Sequence, residues 1–312
     1  MKRIIALGVL VGVGALSLAV TAAQQPAAQN APKVVDVEKL KDNLYVLRGA
    51  GSGGNTAVFI TGSGVIVVDT KNPGWGQPLL AKIRELTDKP VTTIINTHSH
   101  HDHVSGNVDF PASVDFVAHE NTKPNMEAMK QYTGQTAPPP NVFKDSGGRG
   151  IPKRTFKDHL TLGAGADRVE LHYYGRGHTN GDAFVVFPSA RAMHAGDIFS
   201  GKNIPYLDLA TGGSGVAIAD TLQKAHDSIR DVDTIITGHS TQMTWADLRE
   251  YIAFNREFLN DVKTARQAGK SVDEIAAAWT IPAKYAGYAA PQPNRLKANI
   301  QVVFDELTSG TR

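Results

Sequence analysis

Short apolar runs alternate with glycine-containing turns over most of the chain up to residue 242. The runs are rich in Val and Ile, a pattern typical of buried β-strands. One stretch of helical spacing begins at Pro78 and leads back into such a run at Val91, which predicts a strand–helix–strand unit. We predict further helices at residues 121–132 and 216–229 and strands at residues 44–47, 56–60, 65–69, 91–95, 114–118, 169–174, 183–187, 192–195 and 234–236.

From residue 244 onward the apolar residues recur at helical spacing instead. Two hydroxyl residues are each followed three positions later by an acid, Thr244 by Asp247 and Ser271 by Glu274. This is the pattern that caps the first turn of a helix. Residues 243–312 are therefore predicted to form a C-terminal helical region.

The N-terminus has the pattern of an export signal. Lys2 and Arg3 precede an apolar stretch at residues 4–20, and small residues follow it. A single membrane anchor is the alternative, but the interior glycines and the small residues at the end favour cleavage. We predict a signal peptide at residues 1–23, a disordered lead at residues 24–33 and a folded domain at residues 34–242. The protein is then periplasmic or secreted and keeps no stable membrane anchor.

Composition narrows the function classes. The 312 residues are 41% hydrophobic and 20% charged, as in an ordinary globular protein. The chain has no cysteine, which excludes disulfides and thiolate metal ligands. Its 32 basic and 30 acidic residues nearly balance, so no electrostatic surface for nucleic acid is expected. A small-molecule substrate remains as the expected partner, and the oligomeric state is open.

A dense cluster of metal-binding residue types follows the strand at residues 91–95. His98, His100, Asp102 and His103 lie within six residues, and imidazole and carboxylate are preferred donors for zinc. In extended backbone, His98 and His100 point to the same side and can chelate one ion. The neighbouring acid and histidine can reach a second ion. A solvated, histidine-rich loop is the alternative, but the density of the cluster favours a metal site.

Three more candidate ligands each follow a β run and have a glycine directly before them. They are His178 after Gly177, Asp197 after Gly196 and His239 after Gly238. Rigid strands can bring such side chains to one point, and small neighbours let the backbone approach it.

The run His98-Ser99-His100-His101-Asp102-His103 matches the HxHxDH signature and resembles the metallo-β-lactamase-fold hydrolase superfamily. The later motifs follow in the order that this family implies. The resemblance implies an α/β fold, an αββα sandwich, here with a C-terminal helical extension. It implies one metal held by His98, His100 and His178 and a second held by Asp102, His103 and His239, with Asp197 bridging them. Asp69 would support these ligands without binding metal.

The resemblance also implies a binuclear hydrolase. Two divalent ions, most often zinc although iron or manganese would fit, activate a hydroxide that attacks a carbonyl, and Asp102 would be the catalytic acid–base group. The Asp197 position resembles glyoxalase II-type thioesterases and lactonases more than β-lactamases, so an ester, lactone or thioester is expected. A β-lactam hydrolase is the alternative; a mononuclear iron persulfide-type dioxygenase and a metal-stabilised scaffold without activity stay open. The substrate-binding residues are unknown, and the loops at residues 49–54, 130–150 and 199–215 are expected to select the substrate.

The remaining chemistry-bearing residues give weaker patterns. His172 and His194 lie in strand-like runs and are predicted to be packed or hydrogen-bonded. Three histidines without a partner pattern are predicted at the surface: His119, His159 and His226. Trp75 and Tyr206 lie in Gly/Pro-flanked loops, where they either line a substrate pocket or are simply half-buried.

Overall fold

A computed structural model describes residues 33–310 of the chain. The predicted signal peptide and residues 24–32 of the predicted lead lie outside this range. The first of two sheets has seven strands in chain order. β3 to β6 hold its centre, and β4, β5, β6 and β7 run parallel to one another. The strands are β1 Asp36–Lys41, β2 Leu44–Arg48, β3 Thr56–Ile60, β4 Val65–Val68, β5 Val91–Asn96, β6 Asp115–His119 and β7 Arg154–Phe156.

The second sheet has five strands, in the spatial order β12-β11-β10-β9-β8. Its strands are antiparallel except for β11 and β12, which pair in parallel. They are β8 His159–Leu162, β9 Val169–His172, β10 Phe184–Phe187, β11 Ala192–Gly196 and β12 Thr234–Thr237.

The main core lies between the two sheets and follows from strand alternation. In β3, Phe59 points toward the second sheet and its ring meets Phe187 at a centroid distance of 5.1 Å. Val58, the residue before it, points to the opposite face and packs under helix α1. This period of two puts one apolar set between the sheets and another against the outer helices.

Helices cover both outer faces. Helix α1 buries Leu79 and Ile83 against the first sheet, whereas α5, α6 and α8 share an apolar core with the outer face of the second sheet. The layers are thus helix, sheet, sheet and helix, which confirms the predicted αββα sandwich. The helices are α1 Gly76–Leu86, α2 His101–Val104, α3 Thr122–Ala128, α4 Val142–Asp145, α5 Ile218–Ser228, α6 Trp245–Gln267, α7 Val272–Ala278 and α8 Pro293–Ser309.

The C-terminal region is helical as predicted, and both expected capping boxes are formed, at Thr244 and at Ser271. Leu296 and Ile300 of α8 belong to the same core as Phe184 of the second sheet. These helices therefore pack as part of the sandwich. Within the described residues 33–310, no helix is both long enough and apolar enough to cross a bilayer.

Some element predictions were wrong. The helix predicted at residues 121–132 ends at Ala128, because Met129 adopts a left-handed conformation with φ 41°. The segment that follows contributes to the cavity described below. The predicted loop around residues 138–150 contains the short helix α4. Strands β1, β7 and β8 were missed, since they are largely exposed and lack the apolar runs that mark the buried strands.

Candidate metal centre

The ends of several strands converge at one edge of the sandwich. Parallel strands β4 and β5 end there in Asp69 and His98, and parallel strands β11 and β12 end in Asp197 and His239. Because parallel neighbours end on the same side, their following residues lie close together. The structure brings all seven predicted ligands to this edge, in groups whose donor atoms lie within 4.8 Å of one another.

The first group consists of His98, His100, His178 and Asp197. His178 Nε2 lies 3.0 Å from His100 Nδ1 and 3.9 Å from Asp197 Oδ2. Donors that share a tetrahedral zinc ion at about 2.0–2.1 Å are separated by about 3.3 Å. The spacing in this group therefore suits one ion.

The second group consists of Asp102, His103 and His239. His239 Nε2 lies 3.2 Å from His103 Nε2 and 3.3 Å from Asp102 Oδ2. Asp197 joins the two groups: its Oδ1 and Oδ2 each lie 3.2 Å from the second group, at His103 Nε2 and His239 Nε2, and its Oδ2 also lies 3.9 Å from His178 Nε2 of the first. One carboxylate thus faces both donor sets.

A chain of hydrogen bonds fixes two of the imidazoles from below. The Thr97 hydroxyl donates to Asp69 Oδ2 at 2.7 Å and accepts from His98 Nδ1 at 2.9 Å. The same carboxylate oxygen accepts from His103 Nδ1 at 2.7 Å. Each ring therefore carries a proton on Nδ1 and turns its Nε2 toward the centre.

Asp69 holds this position in an unusual backbone conformation, with φ 61°. A left-handed conformation costs a non-glycine residue roughly 1–2 kcal/mol. The carboxylate offsets this cost with three hydrogen bonds, to the Thr97 amide, the Thr97 hydroxyl and His103. Asp69 is fully buried, and these bonds occupy it beneath the ligand rings.

Two further rings, those of His100 and His178, are held by partners that the sequence did not predict. His100 Nε2 donates to Asp208 Oδ2 at 3.0 Å, and His178 Nδ1 donates to the Tyr206 carbonyl. Asp208 is fully buried and also accepts from Thr211 Oγ1 at 2.6 Å and from the Thr133 amide at 2.8 Å. A carboxylate placed among apolar neighbours, Leu207 and Leu209, was the only signal available in the sequence.

The electrostatics differ between the two groups. Burial, together with the nearby His103 and His178, lowers the pKa of His98 well below its ordinary value, and burial lowers the pKa of His178 to about 3. These rings are therefore neutral, the form that binds metal. On the other side, the charge of Asp197 raises the pKa of His239 to about 9. The carboxylates make this side attractive to cations.

One further observation shows that the donor set fits a metal ion. His98 is fully buried, and its Nε2, which faces the other ligands, has no hydrogen-bond partner in the structure. Leaving such a nitrogen without a partner costs about 1–3 kcal/mol. A metal ion at this position would give the nitrogen a partner and would neutralise the charges of the two ligand carboxylates, Asp102 and Asp197.

Two glycines allow the ligands to approach the backbone. A Cβ atom on Gly54 would collide with the His103 ring, and one on Gly238 would collide with Asp197 Oδ1. A backbone hydrogen bond also holds the first of these contacts together: the Gly54 amide donates to the Asp102 carbonyl at 2.9 Å. Any side chain at either glycine would displace a ligand.

A cavity of about 480 Å³ opens above the ligands. We call Tyr132, Tyr206 and Arg295 its side wall; the ligands form its floor. Tyr132 stacks on His100 at a centroid distance of 4.1 Å, and its hydroxyl accepts from the His101 amide at 2.8 Å. The lining residues are Asn72, His100, His101, Asp102, Tyr132, Gln135, Ala137, Pro139, Asp197, Ser200, Asn203, Tyr206, His239 and Arg295.

The residues predicted outside the metal site were expected either to line the pocket, to be packed inside the protein or to lie at the surface. Tyr206 lines the cavity, whereas Trp75 is buried beside α1. His194 is buried and bonds to the Asn55 carbonyl, as expected of a packed histidine. The surface prediction for His119 was wrong: its ring is buried and stacks on Tyr173 at 3.9 Å. His119 is the last residue of β6, and the segment that follows the strand covers its ring.

Two known proteins are similar to this chain in sequence. The chain is 27% identical over 236 residues to a metallo-beta-lactamase type 2 of Elizabethkingia meningoseptica, which covers 70% of this chain and 82% of that protein. It is 28% identical over 199 residues to a hydroxyacylglutathione hydrolase of Nostoc punctiforme, covering 63% of this chain and 62% of that protein.

A solved structure extends the likeness in fold to most of the chain. A double mutant of the sec-alkyl sulfatase PisA1 superposes with a TM-score of 0.65 and 18% identity over 89% of this chain and 51% of that one. The sequence profile of the metallo-beta-lactamase superfamily matches residues 50–239, more than half of the chain. The chain therefore belongs to the metallo-beta-lactamase superfamily, and its fold and histidine–aspartate cluster are those of a metallohydrolase of that family.

Proposed function

We propose that this protein is an exported binuclear metallohydrolase that cleaves an ester, lactone or thioester. The observation that carries the proposal is the position of Asp197, whose carboxylate lies 3.9 Å from His178 of one donor set and 3.2 Å from both His103 and His239 of the other. His98, His100 and His178 would hold one ion, and Asp102, His103 and His239 the other. When bound, such ions supply a Lewis acid for the carbonyl oxygen and lower the pKa of water.

Zinc is the proposed metal. The donor set is nitrogen and carboxylate oxygen, which zinc shares with iron and manganese, so metal content has to be measured. Each of four histidines has its second ring nitrogen bonded to a carboxylate, a hydroxyl or a carbonyl. Such bonds orient the ring and raise its basicity as a ligand.

Asp102 is the proposed catalytic group. Its carboxylate lines the cavity, where 22% of its side chain is exposed, and it lies 3.3 Å from His239. Burial disfavours its charge, but the neighbouring His103 and His239 hold its pKa below the ordinary value. An ionised carboxylate at the open side of the ligands can orient a water molecule and carry a proton to the leaving group.

The substrate class follows from what the chain contains at the bridging position. It has Asp197 there and no cysteine at all, unlike the β-lactamase subclasses with a thiolate ligand. One relative is named a hydroxyacylglutathione hydrolase, which favours a thioester or ester. A β-lactam is the second candidate, because the relative from Elizabethkingia meningoseptica is named a metallo-beta-lactamase.

The test is turnover by the zinc-loaded protein against four substrates: an acyl thioester, an acyl lactone, a β-lactam and a phosphodiester. We expect the thioester or the lactone to have a kcat/KM at least tenfold above the other two. Preference for the β-lactam would replace the first candidate by the second, and preference for the phosphodiester would overturn both.

Metal analysis separates the remaining alternatives. We expect about two equivalents of zinc per chain after loading. One tightly bound iron together with oxygen consumption on a persulfide would point to a dioxygenase. A protein that binds metal but turns over no substrate of any class would be a scaffold. Export is tested separately, by the N-terminal sequence of the protein recovered from its native cells, where we expect a start near residue 24.

A further inference from the structure

The C-terminal helix α8 contributes the side wall's one cation. Of the residues that line the cavity, Arg295 alone is a lysine or arginine. It is half-buried, and its guanidinium lies 4.8 Å from the centre of the Tyr206 ring. Among residues 33–310 this guanidinium has no carboxylate partner. An arginine stacked by its face on an aromatic ring keeps its N–H edge free for an anion.

The position of Arg295 is fixed by bonds on both sides of Tyr206. Asn299, one turn further along α8, donates to the Pro205 carbonyl at 2.7 Å and accepts from the Leu207 amide at 3.3 Å. Residues four apart lie on the same face of a helix, so this face of α8 is clamped to the loop that carries Tyr206. The guanidinium therefore keeps its register with the Tyr206 ring.

The same loop fixes the distance between the arginine and the floor. The Tyr206 carbonyl accepts from His178, and its hydroxyl donates to the Thr133 carbonyl at 2.8 Å. One residue thus carries Arg295 on its ring and orients a ligand imidazole with its backbone. A substrate bound at the ligands meets the arginine at a set place in the same cavity.

We infer that Arg295 binds a carboxylate of the substrate, at a distance from the carbonyl that is cleaved. This inference rests on the proposed function and narrows its substrate class to acyl compounds that carry a second, anionic group. The planar guanidinium forms two parallel hydrogen bonds with a carboxylate, and partial burial strengthens them. Other polar residues of the lining, Asn203 and Gln135 among them, offer neutral donors.

The first test is turnover of a matched pair of esters by the zinc-loaded protein. Mono-4-nitrophenyl adipate and 4-nitrophenyl hexanoate have acyl chains of the same length and differ by one carboxylate. We expect kcat/KM to favour the adipate ester by at least tenfold, mostly through KM. Arg295→Met should reduce this preference to less than twofold, and Arg295→Lys should retain part of it.

The control is Arg84→Met, which makes the same change of charge on the exposed side of α1, on the other outer layer. It should keep the full preference. Equal rates of wild type on both esters, or an unchanged preference in Arg295→Met, would overturn the inference while leaving the hydrolase proposal intact.

A binding measurement separates this inference from turnover. Adipate and monomethyl adipate both present one carboxylate to the metals, but only adipate has a second for Arg295. Calorimetry with the zinc-loaded protein should give at least tenfold tighter binding of adipate, and Arg295→Met should abolish the difference. If neither ester is turned over but this difference is found, the hydrolase proposal fails and the carboxylate site stands. If binding shows no difference, the site fails.

Discussion

The floor and the side wall of the cavity are built in different ways. The floor consists of side chains that follow strand ends, and four of its rings are bonded on their far side to Asp69, Thr97, Asp208 or a carbonyl. The side wall comes from the segment after α3, the loop after β11 and the start of α8. Its members are joined mainly by ring stacking and by bonds to backbone.

This difference separates two tasks. A floor in which four of the five ligand rings have one nitrogen bonded to a partner behind them holds donors at fixed distances, as metal chemistry requires. A wall joined through stacked rings fixes one cation and leaves room for a varied acyl group. We therefore expect floor substitutions to change metal binding and kcat, and wall substitutions to change KM and substrate preference.

The largest effect is expected for Asp102→Asn. The amide keeps the shape but cannot hold a proton for the leaving group, so kcat should fall by about 10³-fold with an unchanged melting temperature. Turnover of the preferred substrate and zinc content are measured together. Because Asp102 is also a proposed ligand, kcat is compared at full zinc occupancy: a loss that persists there assigns the acid–base role, recovery of kcat on zinc loading would mean that Asp102 acts as a ligand alone, and a near-normal kcat would remove it from catalysis.

Asp208→Asn tests whether a residue beneath the floor controls it. The neutral amide accepts more weakly from His100, so zinc affinity should fall about 10- to 100-fold in a chelator competition. Thr211→Val is the matched control, since it removes one bond to Asp208 but leaves the carboxylate, and it should change zinc affinity less than threefold. Equal losses in the two variants would refute a role for the charge of Asp208.

Lys71 supports the floor from inside, and its effect depends on pH. Its ammonium donates to the Leu47 and Gly54 carbonyls, and burial lowers its pKa from 10.5 to about 7. Between these values the unfolded chain binds a proton that the folded protein does not. The free energy of unfolding of wild type should therefore rise with pH by at most about 1.4 kcal/mol per unit.

Lys71→Met lacks this contribution and leaves two carbonyls without their donor, at a cost of roughly 1–3 kcal/mol each. Its deficit relative to wild type should grow from pH 7 to pH 9 in urea unfolding. A deficit that is constant with pH would show that Lys71 stays charged in the folded protein.

The smallest effect is expected for Tyr206→Phe. The ring still stacks under Arg295, and the substitution removes the hydroxyl bonds to the Thr133 carbonyl and the Gln135 side chain. The cost should be about 1 kcal/mol of stability and less than a threefold change in KM for the adipate ester. A tenfold or larger change in KM would show that the Tyr206 hydroxyl contacts the substrate. The side wall would then bind substrate through more than Arg295.

The sequence was informative where chemistry and local pattern coincide. The strands before Asp69, His98 and Asp197 are short, largely buried runs, and these three residues follow within two positions of the strand ends. Asp208 and Arg295 could not be predicted, because their contacts with His100 and Tyr206 join residues about a hundred positions apart without any periodic signal. The left-handed turn at Met129, which ends α3 early, depends likewise on the tertiary position of the next segment.

The clamp between α8 and the loop around Tyr206 has an evolutionary consequence. Asn299 holds the helix, and Arg295 touches no ligand, so position 295 can change its residue without disturbing the donors beneath. Natural selection can therefore change which substrates this protein accepts through substitutions at position 295, while the metal ligands and the reaction they support stay the same.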